Sequence, residues 1–179
     1  MATKRKLNRI ADQPAARGTG TGEPGNRFIV ERIVSGGQTG VDRAALDFAV
    51  AHGIPQGGWC PRGRLAEDGP IGPCYELKET PEAEYAQRTA WNVRDSDGTV
   101  ILTILPELTG GSALTLALAR EFGKPCLHLS KMGDDNAAPA LLREFIRRHG
   151  IRTLNVAGPR HSTEPAAREF VMEVLERMF

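Results

Sequence analysis

Two glycine pairs, each caught between an apolar strand and a helix, are the residues of this chain best placed for chemistry. The first, Ser35-Gly36-Gly37-Gln38-Thr39-Gly40, follows Ile33-Val34 and precedes a run with Val41, Ala44, Ala45, Phe48, Ala49 and His52 at helical spacing. Glycines let a ligand approach the main chain closely, and the first turn of a helix offers N–H groups that have no intrahelical partner, at the positive end of its dipole. The matching chemistry is capture of a phosphate or another oxyanion. The second pair, in Thr109-Gly110-Gly111-Ser112, repeats the device ahead of the apolar run Ala113 to Ala119. A third polar loop, Gly158-Pro159-Arg160-His161-Ser162, adds a cation.

The expected anion site therefore comprises Gly36, Gly37, Gln38, Thr39 and Gly40 from the first loop and Gly110, Gly111, Ser112 and Thr115 from the second. Asn155 and Arg160 complete it from the last strand and its loop. Arg62 and Arg64 fall in a long irregular segment, Pro61 to Thr80, where they are either further guanidinium donors to the ligand or surface partners of Glu67 and Asp68. Arg88, Asn92 and Asp95, at i, i+4 and i+7, make one polar helix face, either a wet surface or a pocket wall.

Neither common glycine loop fits. Gly40 is followed by Val41 and Asp42, so the lysine of a Walker A loop is missing, and Ser35 stands where a dinucleotide fingerprint needs glycine. There is no Gly-x-Ser-x-Gly elbow, no locally marked Cys/His pair and no dense ligand cluster for a hydrolytic metal. The acids nearest the first loop have plain roles open to them. Asp42 suits the helix dipole and Asp47 the i+4 partner of Arg43.

The elements that must hold these loops alternate. An apolar strand ends at Val34, a helix ends before Gly53, and a short strand lies near Gly57 to Cys60. Thr80-Pro81-Glu82 reads as the start of a helix reaching Val93. Gly98 to Ile104 reads as a strand buried on both faces, Ala113 to Ala119 as a helix apolar nearly all round and so buried. Cys126 to Leu129, a helix from Ala137 to His149, Thr153 to Ala157 and a terminal helix from about Pro165 to Met178 follow. Alternation of this kind predicts an α/β, Rossmann-like, doubly wound and mostly parallel sheet in three layers, with the loops after strands one, three and five converging at the carboxyl edge.

The 179 residues suit one domain, residues 27–179, after a basic tail, 1–26, whose composition predicts disorder. With 25% charged residues, 40% hydrophobic residues and a net charge of only +1, nothing calls for nucleic acid or a membrane surface. Three cysteines, Cys60, Cys74 and Cys126, match no metal or disulfide pattern, and no secretory or membrane-length apolar run is present; a cytoplasmic location is expected.

Read together, Ser-Gly-Gly-Gln-Thr-Gly-Val-Asp-Arg-Ala-Ala-Leu-Asp, Leu-Lys-Glu-Thr-Pro, Arg-Asp-Ser-Asp-Gly-Thr, Thr-Gly-Gly-Ser and Asn-Val-Ala-Gly-Pro-Arg resemble, in order over residues 30 to 178, the putative molybdenum carrier family. That family is similar to the SLOG superfamily of Rossmann-like nucleotide-binding proteins, which includes the lonely-guy phosphoribohydrolases. The resemblance implies a homo-oligomer, dimer or tetramer, that binds molybdenum cofactor or molybdate. In the phosphoribohydrolases the second glycine loop carries a glutamate used in N-glycosidic cleavage; its place here is Ala117, so the cradle transfers and the carboxylate does not. A binding protein is the leading expectation. The alternatives are an enzyme acting on a nucleotide, with Asp42, Asp47 or Glu79 as acid or base, and a nucleotide sensor.

Overall fold

A computed structural model describes residues 30–179. The tail expected over residues 1–26 lies outside the described residues. Strand β1 (Arg32–Val34) leads through the first glycine loop into helix α1 (Val41–Ala51), and Gly53, at φ 65°, follows its C-cap in the left-handed conformation that ends such helices. Strand β2 (Gln56–Cys60) is followed by a two-stranded hairpin, β3 (Leu65–Ala66) with β4 (Gly69–Pro70), and by strand β5 (Leu77–Glu79). Then come α2 (Tyr85–Arg94), β6 (Gly98–Thr103), α3 (Gly110–Glu121), β7 (Cys126–Ser130), the short α4 (Lys131–Asp134), α5 (Ala138–His149), β8 (Thr153–Ala157) and α6 (Ala167–Met178).

The six-stranded sheet has the order β5-β2-β1-β8-β6-β7, and every pairing in it is parallel. It is a Rossmann-like α/β fold. The chain runs outward from β1 through β2 to β5, crosses back to β6 and β7, and returns to place β8 between β1 and β6. The three strands that end in polar loops are therefore adjacent, and their carboxyl ends flank the crevice where open α/β sheets take ligands.

The two faces of the sheet differ. Ile33, Val100, Leu102, Leu129, Leu154 and Val156 point toward α1, α5 and α6 and form the main core with Phe48, Leu142 and Phe170. The other face, under α2 and α3, holds Thr99 and Asn155, whose amide donates to the Thr99 hydroxyl at 3.1 Å.

Two elements depart from the expected boundaries. Helix α2 begins at Tyr85, not after Thr80: the buried Thr80 donates its hydroxyl to the Glu82 carbonyl (2.8 Å) and its backbone N–H to Cys60 of β2, so it is tied to the sheet and cannot cap a helix. Helix α3 is apolar but not buried all round. Its inward face is Ser112, Thr115 and Ala119, while Leu114 stays 37% exposed.

Candidate functional site

A cavity of about 340 Å³ opens at the carboxyl ends of β1, β6 and β8. Gln38 reaches it from the first loop, Glu107, Thr109, Gly110, Gly111 and Ser112 from the second, and Gly158, Pro159, Arg160, Ser162 and Glu164 from the third. Helix α2 closes one wall with Tyr85, Arg88 and Thr89.

The floor carries two donors of different kinds. Gln38 is buried; its Oε1 accepts the backbone N–H groups of Thr39 (3.0 Å) and Glu67 (2.9 Å), which fixes the orientation of the amide and leaves Nε2 with no partner among the described residues. Arg88 lies over Gly36, where a Cβ would overlap the guanidinium, so the glycine makes room for a side chain 52 positions on. Its Nη1 donates to Asp42 at 2.7 Å. Burial raises the Asp42 carboxyl above its ordinary value, and Arg88 opposes that rise. Above them, the guanidinium of Arg160 lies 5.8 Å from the ring centroid of Tyr85.

The hairpin is the latch of the loops. The Glu67 carboxylate accepts from the Thr39 hydroxyl, from the Ser162 backbone N–H (3.1 Å) and from the Ser162 hydroxyl (2.5 Å), joining the first loop to the third. Desolvation works against its ionisation, but the Ser162 and Thr39 bonds prevail and hold it below the usual glutamate value. Gly40, at φ 78°, lets the same two loops touch, because a Cβ there would collide with Pro159 and His161.

Among the residues expected at the site, Gln38, Gly110, Gly111, Ser112 and Arg160 line the cavity. Gly36, Thr39 and Gly40 support it as described. Gly37, at φ 75°, is not in the lining; a Cβ there would point at Ile71 and Leu77. Thr115 donates back to the Gly111 carbonyl at 2.8 Å, and Asn155 is spent on Thr99. Arg62 is exposed outside the cavity. Arg64 is consumed structurally: it donates to the carbonyls of Ile71 (2.9 Å), Leu77 (3.1 Å), Gly72 (2.8 Å) and Tyr75 (3.1 Å) and clamps its own loop. Glu67 and Asp68 pair with neither arginine; Asp68 takes Arg43 at 2.5 Å.

Of the three acids considered for catalysis, none reaches the cavity. Asp42 is locked to Arg88, Asp47 accepts from Tyr75 (2.5 Å) and Arg168 (2.8 Å), and Glu79 accepts the Gly63 N–H (2.6 Å). The carboxylates that do line it, Glu107 and Glu164, have no local signature beyond their place in glycine-bearing loops, and Tyr85 has none. Arg88 carried one, as the first member of the polar stripe on α2. No cluster of three His, Cys, Asp or Glu side chains suited to a metal ion occurs among the described residues.

The profile of the circularly permutated YpsA SLOG family matches residues 33–179, from the end of β1 to the last residue. The chain belongs to this family. All three loops that line the cavity lie inside the matched region. A solved structure titled as a putative molybdenum carrier protein, from Syntrophus aciditrophicus SB, is 47% identical, superposes with a TM-score of 0.81, and is matched over 84% of this chain and 95% of its own. No curated protein matches.

Proposed function

We propose that this protein binds a phosphate-bearing heterocyclic ligand in the three-loop cavity, and that the ligand is the molybdenum cofactor, held for carriage. The observation that supports this reading is the mixed charge of the lining. Arg160, the unpaired amide of Gln38 and the N-terminus of α3 at Gly110 to Ser112 favour an anionic group. Glu107 and Glu164, in the same lining, repel bare anions; Glu164 already accepts the Ile104 N–H at 2.5 Å, and Glu107, with no partner among the described residues, can take an N–H or O–H donor. A ligand with both a phosphate and a ring bearing N–H groups satisfies the two halves together, whereas molybdate alone satisfies one and underfills about 340 Å³. The donor set fits the cofactor by its phosphate and ring. With no thiolate or histidine cluster among the described residues, the metal would stay on its own ligands.

Calorimetric titration with molybdate, inorganic phosphate and a set of ring-bearing monophosphates tests this. The ring-bearing phosphates should bind at least tenfold more tightly than either oxyanion; equal or tighter binding of molybdate would contradict the reading. A second reading, hydrolysis of a nucleotide, draws on the same Glu107 and Glu164 as acid and base, and release of free base from a nucleotide panel would establish it. The homo-oligomer implied by the resemblance also remains a proposal. It would cover the exposed Phe122 at the C-cap of α3, and Phe122→Glu should halve the mass measured by light scattering.

A further inference from the structure

A smaller cavity, about 180 Å³, lies on the α2 face of the sheet, lined by Arg32 and Val34 of β1, Gly58 and Trp59 of β2, Lys78 of β5 and Thr153 of β8. It shares no lining residue with the three-loop cavity; the two meet opposite ends of α2. Two cations reach it, Arg32 from β1 and Lys78 from the edge strand β5, and neither makes an ion pair among the described residues. Arg32 donates from Nη2 to the Gln56 carbonyl at 3.2 Å, while its buried Nε has no partner. Gly57 exists to admit it, since a Cβ there would overlap the guanidinium. The one carboxylate in the pocket's lining is already taken: Asp95 accepts from Arg94 (2.6 Å) and from the indole N–H of Trp59 (2.8 Å).

Trp59 supplies the flat wall. Its main chain is held from both sides by Asn92, whose Oδ1 accepts the Trp59 N–H (2.8 Å) and whose Nδ2 donates to its carbonyl (2.9 Å). The indole is thereby fixed between Trp91, edge-on at 4.6 Å, and the Lys78 ammonium, 5.7 Å from the ring. An orphaned guanidinium donor, an ammonium with an aromatic ring but no acid as its partner among the described residues, and a rigid indole are the parts of a site for a small anion on a planar body. The volume holds about six waters' worth of space, too little for a nucleotide.

We propose that this pocket is a second, independent binding site for a small aromatic carboxylate, whose carboxylate draws the Lys78 ammonium off the Trp59 ring to sit between Lys78 and Arg32, and whose ring takes the place over the indole that Lys78 leaves. The chain contains two tryptophans; Trp59 lines this pocket and Trp91 packs against it, so intrinsic fluorescence reports on it. The full chain is titrated with benzoate and, in parallel, with inorganic phosphate. The expected result is a saturable tryptophan response to benzoate, weakened at least tenfold in Arg32→Gln and in Lys78→Gln and unchanged in Gly111→Glu, whose substitution lies in the other cavity. Lys78 is exposed on an edge strand, so K78Q keeps its fold and its Tm even where R32Q does not. A linear, unsaturated response, or an identical curve in folded K78Q, overturns the proposal. So does phosphate binding as tightly as benzoate, because the indole would then contribute nothing.

Discussion

Gly37 and Gly111 stand in similar motifs and do different work. A Cβ on Gly111 meets nothing within 4 Å, and its φ is not positive, so Gly111→Glu is accommodated at the start of α3, where a carboxylate suits the helix dipole. Its charge, however, would stand where the proposed ligand's anionic group is to be held. The variant should keep its Tm within a few degrees and lose at least tenfold in ligand affinity, by thermal melting and calorimetry. Gly37→Ala is expected to do the reverse of a clean binding test: a positive φ and contacts with Ile71 and Leu77 under 3 Å should cost about 2 kcal/mol or more. Arg88 makes a third case. Arg88→Met leaves Asp42 buried without its cation and should cost about 3 kcal/mol near neutral pH. Because burial already raises the Asp42 carboxyl, its proton is held more tightly in the folded than in the unfolded chain. That contribution favours folding at low pH and is lost as pH rises through the folded value. The deficit of Arg88→Met should therefore shrink as pH falls from neutral, read from urea unfolding at each pH. Glycine loops are legible because their signal is local. The orphaned amide of Gln38 and the locked state of Asp42 are not, since each depends on side chains brought in from the hairpin and from α2.

At the scale of elements, the β3–β4 hairpin turns a long loop into a brace. Glu67 ties it to the first and third loops, and Arg64 holds the segment behind it in shape. Glu67→Ala should free both loops without unfolding the sheet, seen as faster amide exchange at Thr39, His161 and Ser162 and unchanged exchange in β6 and β8. The pH dependence follows from the lowered carboxyl. The brace is present above the ordinary glutamate value and lost as pH falls through the lower folded one, so wild-type exchange at these amides should approach that of Glu67→Ala only at pH below the ordinary glutamate value. The irregularity of Pro61 to Thr80 is visible in its glycines and prolines, but the destination of its arginines is not: the four carbonyls that capture Arg64 have no side-chain signature. The start of α2 is hidden for a related reason, because Thr80, Pro81 and Glu82 spell a helix start while the tertiary pull of β2 on Thr80 wins. In α3, an all-apolar helix suggests full burial, yet the sheet face beneath it carries Thr99 and Asn155 and is met by small hydroxyl residues.

For the whole molecule, alternation of strand and helix was enough to place three loops at one edge, and the sheet order shows why they converge: β1, β8 and β6 are neighbours. What alternation could not reveal is the inequality of the two faces. One closes over an apolar core; the other keeps polar strands and leaves a second, cationic pocket at the far end of α2. No helix among the described residues is long and apolar enough to cross a membrane. The central claim, that the three-loop cavity carries a molybdenum-bearing, phosphate-bearing ring, is tested most directly on the ligand the protein carries out of the cell. The full chain and Gly111→Glu are purified from molybdate-supplemented cells, desalted, and assayed for molybdenum by elemental analysis and for pterin by fluorescence after oxidation. The account predicts the two in equal amounts in the wild type and neither in the folded variant. Molybdenum without pterin, or both retained in Gly111→Glu, would contradict it.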